Sequence, residues 1–347
     1  MKIHNIFKTA AALAVSTSLL TACAGNNGGS QTASDGTELR TIRVANMTGE
    51  PDQYAGYIGT QQGIFEKYGI TLQATEFVAG INTVDSVVTG TADIGLLADF
   101  AAANRFGNTL EATNLVIASD LSSSVSTDGG IYVAPKYADD ITSLDGSEGW
   151  ITNIGTVSEY YNWQAQTYLG LDPDKQNTVN AADASTILGV IHNVNASAIV
   201  TSGAMVEKVE NEGWIKVADS KDVDIRISAY LITTKNFAEN NTDLLADYLK
   251  ALNESAQYIN DNLDESAKAI SAKFGIDEDI FKSNWKRYTI KFGLSESAAA
   301  HLDEVNAWAF EHGKFPTKYN IRQFYYTAAA EKAFPENTDV DLSGVQQ

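Results

Sequence analysis

The sequence predicts an α/β protein of two lobes, and three observations carry that expectation. Short apolar runs rich in β-branched residues alternate with amphipathic helical segments between residues 41 and 233. That rhythm implies mixed, mostly parallel sheets whose strands are joined by crossover helices. A strand–turn–helix–strand unit opening on small or polar residues occurs twice, around Gly80 to Gly95 and around Ala182 to Ala198. After Asn241 only helical patterns remain, so a helical C-terminal part would return to the first lobe and leave a cleft between two similar lobes.

The first strand is expected at 41–45 and a helix at 51–68, with Pro51 in its first turn and Gly69 at its end. A strand at 70–78 leads to a helix at 82–88, whose Val84, Val87 and Val88 share one face. Residues 94–98 form a continuous apolar run, as in a strand covered on both sides. Residues 114–119 read as another strand. The middle repeats the theme, with strands at 130–134, 150–155, 178–182, 196–200, 214–218 and 225–233. Helices fall between them at 157–169, 185–192 and 203–212. The helical part comprises 244–261, 265–274, 278–288, 296–312 and 321–332, and a loose polar tail is expected from Pro335.

The chain has 347 residues, of which 44% are hydrophobic and 20% charged, a globular composition long enough for two domains. Lys2 and Lys8 precede an apolar stretch at 9–20 that is too short for a permanent membrane span. The only cysteine, Cys23, closes the run Leu20-Thr21-Ala22-Cys23, which resembles a bacterial lipoprotein box. Residues 1–22 are therefore expected to be a lipoprotein signal peptide and Cys23 the lipidated residue. Residues 23–39, rich in Gly, Ser, Asn and Thr, read as a flexible tether. No thiol remains for a disulfide framework, a cysteine nucleophile or a cysteine metal site. Without residues 1–22 the chain holds 22 basic and 44 acidic residues, a net charge of −22. Such acidity repels phosphate backbones, so no nucleic-acid partner is expected.

Three stretches resemble one family. They are 55–69 (AGYIGTQQGIFEKYG), 80–95 (GINTVDSVVTGTADIG) and 144–161 (LDGSEGWITNIGTVSEYY). In order and spacing they resemble the substrate-binding proteins of bacterial ABC importers for nitrate, taurine and aliphatic sulfonates. That group also includes binders of thiamine-pyrimidine precursors. The resemblance spans roughly 40–330. It implies a type II periplasmic-binding-protein fold, with lobe I at 40–122 plus 235–330 and lobe II at 123–234. Hinge strands would lie near 121–132 and 228–234 and bend around a captured solute. It further implies a small-molecule ligand, a permease and ATPase complex as partner, a lipid-anchored extracytoplasmic monomer, and no cofactor or metal. Asn195, where the family often has Asp, and the turn at 201–205 depart from its pattern.

Helix N-termini bind anions without any basic side chain. Two are expected to face the cleft, one at Gly80, Ile81 and Asn82, the other at Thr156 and Ser158. Asn and Ser also cap helices anywhere, and capping does not exclude ligand contact. Asp99 and Phe100 follow an apolar strand, where α/β folds place ligands, and Asp99 is a candidate partner for an ammonium group. Tyr54, Tyr160, Ser202 and Tyr230 complete the candidate lining, with Tyr57 and Tyr161 nearby. Anion-friendly helix ends beside a carboxylate suit a zwitterionic sulfonate such as taurine; stacking tyrosines would instead suit a pyrimidine. An enzyme is not expected, because His192, His301 and His312 accompany no evident nucleophile or metal cluster. A surface signalling or adhesion module is the rival of another class.

Overall fold

A computed structural model describes residues 31–32, 38–77, 80–110, 113–125, 129–181, 183–193 and 195–345. The expected signal peptide, Cys23 and most of the tether lie outside them. Among the described residues no helix is long and apolar enough to cross a membrane.

Among the described residues twelve strands form two sheets. The first contains β1 (Gln31–Thr32), β2 (Glu38–Met47), β3 (Ile70–Phe77), β4 (Ile94–Ala98) and β5 (Leu115–Val125). The second contains β6 (Gly130–Val133), β7 (Trp150–Thr152), β8 (Thr178–Asn180), β9 (Ala198–Thr201) and β10 (Ile215–Asp219). The chain then returns to the first sheet as β11 (Arg226–Thr234) and β12 (Tyr288–Gly293). Strand order is β1-β2-β4-β11-β5-β12 with β3 on β2 in the first sheet, and β10-β6-β9-β7-β8 in the second.

Both sheets are mixed, but they are not mostly parallel as the alternation suggested. Among the described residues four strand pairings are parallel and six antiparallel. The reason is β11, which inserts antiparallel between β4 and β5 and separates two strands that a simple crossover pattern would place side by side. Residues 228–234, expected as a hinge strand, pair with β4 and β5 along their length. The return crossing therefore precedes them, at 220–225, and contains Asp224 in the left-handed region at φ 55°.

Helices cover both sheets: α1 (Pro51–Gln61), α2 (Ile64–Lys67), α3 (Gly80–Val88), α4 (Asp99–Thr109), α5 (Ser158–Tyr168), α6 (Ala184–His192), α7 (Ala204–Asn211) and α8 (Ser220–Val223). The C-terminal part adds α9 (Lys235–Asn240), α10 (Thr242–Asp261), α11 (Leu263–Phe274), α12 (Glu278–Arg287), α13 (Glu296–Glu311) and α14 (Ala328–Ala333). The helix expected over 51–68 is two helices, because Gly63 adopts φ 69° and breaks the ladder between α1 and α2. Pro51 opens α1 where its missing N–H costs nothing.

One face of the first sheet packs Ile42, Val44, Ile94 and Leu96 under α1 and α10, where Leu249 and Leu252 are fully buried. The opposite face packs Leu97, Ile117 and Tyr230 against Phe100, Phe106 and Trp308 of α4 and α13. The second sheet has its own core around Trp150, Tyr132 and Ile199. The expected loose tail is instead tied down. The N–H groups of Asp339 and Val340 reach the Leu294 carbonyl, and Arg322 holds both Glu296 and the Asp341 carbonyl.

Candidate ligand cleft

A cavity of about 400 Å³ lies between the two sheets and is lined from both. Ser124, Ile227, Arg287 and Tyr288 face it from the first sheet and its flank; Thr201, Ser202 and Tyr161 face it from the second. A smaller cavity of about 80 Å³ shares Ser124, Ile227 and Tyr288 with it and reaches Met47, Glu50 and Ala98 at the ends of β2 and β4. The location follows from topology: β5 and β11 carry the chain between sheets, so their crossing ends must lie where the sheets meet.

Its electrostatics come from residues the motifs did not indicate. Burial holds the Glu50 carboxyl above its usual range, and a hydrogen bond from Tyr288 opposes that rise. Arg287 supplies a cation next to Tyr288. Glu50 lines the smaller cavity and Arg287 the larger one, and the two cavities meet at Ser124, Ile227 and Tyr288. Behind Glu50, Asp52 is fully buried in the first turn of α1, and desolvation raises it to about 8. Among the described residues no group of three His, Cys, Asp or Glu side chains is placed to hold a metal ion.

Of the residues expected at the site, Ser202 lines the cleft, and so does the neighbouring Tyr161. Gly80 opens α3 close to it: a Cβ there would stand 3.6 Å from Met47 Sδ. Thr83 pins this helix end to β4, accepting from the Leu96 N–H at 3.1 Å and reaching the Leu96 carbonyl at 2.7 Å. Ile81 and Asn82 are exposed on the first turn.

Thr156 and Ser158 are engaged locally. Thr156 Oγ1 bonds the Asn153 carbonyl at 2.7 Å, and Ser158 Oγ accepts from the Asn153 N–H at 2.9 Å. The Gly155 N–H already meets the Glu159 carboxylate at 2.9 Å and the Ile154 N–H meets Asn180 Oδ1 at 3.1 Å. An anion at this turn would have to displace those acceptors.

Asp99 offers no free carboxylate. Its Oδ1 accepts from the Phe100 N–H, while Oδ2 accepts from the Ser228 N–H at 2.9 Å and lies 3.0 Å from His301 Nε2. Phe100 packs on Trp308 in the core. Tyr54 is buried edge-on against Phe274 and Phe281, and Tyr160 is stacked on Trp163. Tyr230 faces a different cavity on the α13 side, its hydroxyl 3.2 Å from the Ala298 carbonyl.

No family model and no curated relative matches the sequence. Solved structures do. The periplasmic aliphatic sulphonate binding protein of Escherichia coli is similar at 16% identity, covering 83% of this chain and 97% of its own, with a TM-score of 0.68. The periplasmic nitrate-binding protein of Synechocystis PCC 6803 is similar at 12% identity, covering 87% and 92%, with a TM-score of 0.61. A Candida albicans protein described as having the generic periplasmic binding protein fold is similar at 15% identity, covering 89% and 100%, with a TM-score of 0.55. The chain thus has the periplasmic-binding-protein fold. At these identities the likeness speaks to the fold alone.

Proposed function

We propose that this chain is an extracytoplasmic solute-binding lipoprotein. It captures a small solute in the inter-lobe cleft and delivers it to an ABC permease and ATPase complex, with Cys23 as the lipid anchor. The observation that carries this reading is the cavity lined from both sheets at the strand crossings. Such a site favours capture by lobe closure and release by opening. The lobes in this reading are 38–125 with 226–345, and 129–219, joined at the two crossings. A binder fits the cleft better than an enzyme does, since the residues around it form no nucleophile–base pair.

The proposed ligand is a sulfonate such as taurine. Arg287 and the α3 N-terminus would take the sulfonate, and Glu50 replaces Asp99 as the ammonium partner. Tyr161 and Tyr288 in the same cleft favour a second reading, a heterocycle of the thiamine-pyrimidine type. Thermal denaturation with taurine, ethanesulfonate, nitrate and a hydroxymethyl pyrimidine tests both. A ligand at ~1,000 times its Kd should stabilise the fold by about 4 kcal/mol. Stabilisation by taurine and not ethanesulfonate supports the first reading, stabilisation by the pyrimidine alone replaces it with the second, and no response to any of the four counts against both.

A further inference from the structure

Another cavity, of about 320 Å³, lies on the α13 face of the first sheet and shares Ser122, Ser228 and Ala229 with the smaller cavity beside the cleft. Asp120 of β5, Arg226 and Tyr230 of β11, Lys291 of β12, and Ser297 and His301 of α13 line it. Asp120 is the built element: it is only 7% exposed. Its Oδ2 accepts from the Ser295 N–H at 2.9 Å and the Ser295 hydroxyl at 2.8 Å. Its Oδ1 is buried and accepts no hydrogen bond from any described residue. Burial raises the carboxyl to about 6, and the hydrogen bonds from Ser295 and the charge of Lys291 oppose the rise.

Two cations share the cavity lining with this carboxylate, and the charge of Lys291 acts on it directly. Among the described residues the Arg226 guanidinium is ion-paired only with the exposed Asp224 carboxylate, at 3.4 Å. Lys291 makes no salt bridge with another described residue, and His301 is turned to Asp99. The N-terminal end of the 16-residue helix α13 adds partial positive charge on the same side. A simple anion would leave Asp120 Oδ1 without a donor and set a like charge near it. A simple cation would satisfy Oδ1 but face Arg226 and Lys291.

We propose that this cavity is a second solute site that takes a small zwitterion, with its ammonium on Asp120 Oδ1 and its anionic group on Lys291 and Arg226. The site stands beside both crossings, since Arg226 is the first residue of β11 and β5 ends five residues beyond Asp120.

Titration calorimetry of the mature chain with β-alanine, propionate and propylammonium tests the proposal. β-Alanine should bind at least about tenfold tighter than either singly charged analogue. Asp120→Asn, which keeps the shape of the side chain, should weaken β-alanine by about tenfold or more, and so should Lys291→Met on the exposed edge strand. Ser202→Trp, which fills the cleft, should leave β-alanine binding unchanged. Far-ultraviolet circular dichroism checks each fold, and Lys291→Met decides if Asp120→Asn unfolds. The proposal is overturned if β-alanine gives no saturable heat, if Lys291→Met leaves its affinity unaltered, or if Ser202→Trp abolishes it.

Discussion

Asp99 Oδ2 sits 3.0 Å from His301 Nε2, and the same oxygen accepts the Ser228 N–H at 2.9 Å. One buried carboxylate thereby joins the first residue of α4, the backbone of β11 and the second turn of α13. Asp99 follows an apolar strand, as ligand-binding acids do, yet its bonding is that of an anchor. Removing an acceptor so that a buried donor is left unsatisfied typically costs about 1–3 kcal/mol. Asp99→Ala should lower stability on that scale in urea denaturation. If Asp99 instead served the ligand, stability would change little and affinity would fall.

The cleft predicts the opposite split. Ser202 is exposed and lines the cavity, so Ser202→Trp should abolish binding of the cleft solute while the melting temperature of the unliganded protein stays within a degree or so of wild type. Arg287→Ala should weaken an anionic ligand by about tenfold or more, a loss of roughly 1.4 kcal/mol. Retention of full affinity in both variants would move the site elsewhere.

The fold was more legible than this site, and the reason is distance along the chain. The pattern around Gly80 indicates a helix start because glycine, asparagine and the valine spacing are local signals. The role of β12 is not local. Thr289, Ile290, Lys291 and Phe292 alternate polar and apolar, but they follow α12 so closely that helical periodicity absorbs Tyr288 into the helix. Only pairing with β5, more than 160 positions earlier, brings Arg287 and Tyr288 to the cleft. The bond between His301 and Asp99, 202 residues apart, is equally invisible to motif and period. Glu50 could have been suspected, since it directly precedes Pro51 at a helix start.

Asp52 makes stability depend on pH in a defined direction. Its carboxyl titrates near 8 in the folded protein against 3.8 for the ordinary side chain. Between those values the folded state holds a proton that the unfolded state has released, so this group's contribution to stability falls as pH rises from about 4 to about 8. Below that window both states are protonated and the effect vanishes. Asp52→Asn removes the titration, so its stability relative to wild type should grow across the window and flatten beneath it. A constant difference from pH 4 to 8 in chemical denaturation would contradict the assignment.

Gly59 tests how closely α1 approaches α10. Alanine is worth about 1 kcal/mol more than glycine in an exposed helix interior. A Cβ at Gly59, however, would lie 2.0 Å from Ser255 Oγ and 2.7 Å from the Phe65 ring. Overpacking of this kind costs about 1–3 kcal/mol and outweighs the propensity gain. Gly59→Ala should therefore destabilise, and Gly59→Ala with Ser255→Gly should recover part of the loss. A stabilised single variant would mean that the helices can separate freely.

The two lobes also touch away from the cleft, and that contact should set the apparent affinity. Tyr160 and Trp163 of α5 pack on Trp308 of α13, which stacks on His312 with ring centroids 4.4 Å apart. Lys314 reaches Glu159 at 2.7 Å, and both side chains are largely buried. Helix α5 packs on the second sheet and α13 on the first, so this contact joins the two layers directly. The apparent Kd of a solute equals its intrinsic Kd divided by the fraction of closed protein. Trp163→Ala removes aromatic packing worth roughly 0.5–1.5 kcal/mol per pair, which should lower that fraction and weaken binding several-fold. No residue lining the cleft changes, so the loss should appear mainly as faster dissociation, with a larger radius of gyration for the unliganded protein in solution scattering. Unchanged dissociation and an unchanged radius would show that this contact does not govern closure.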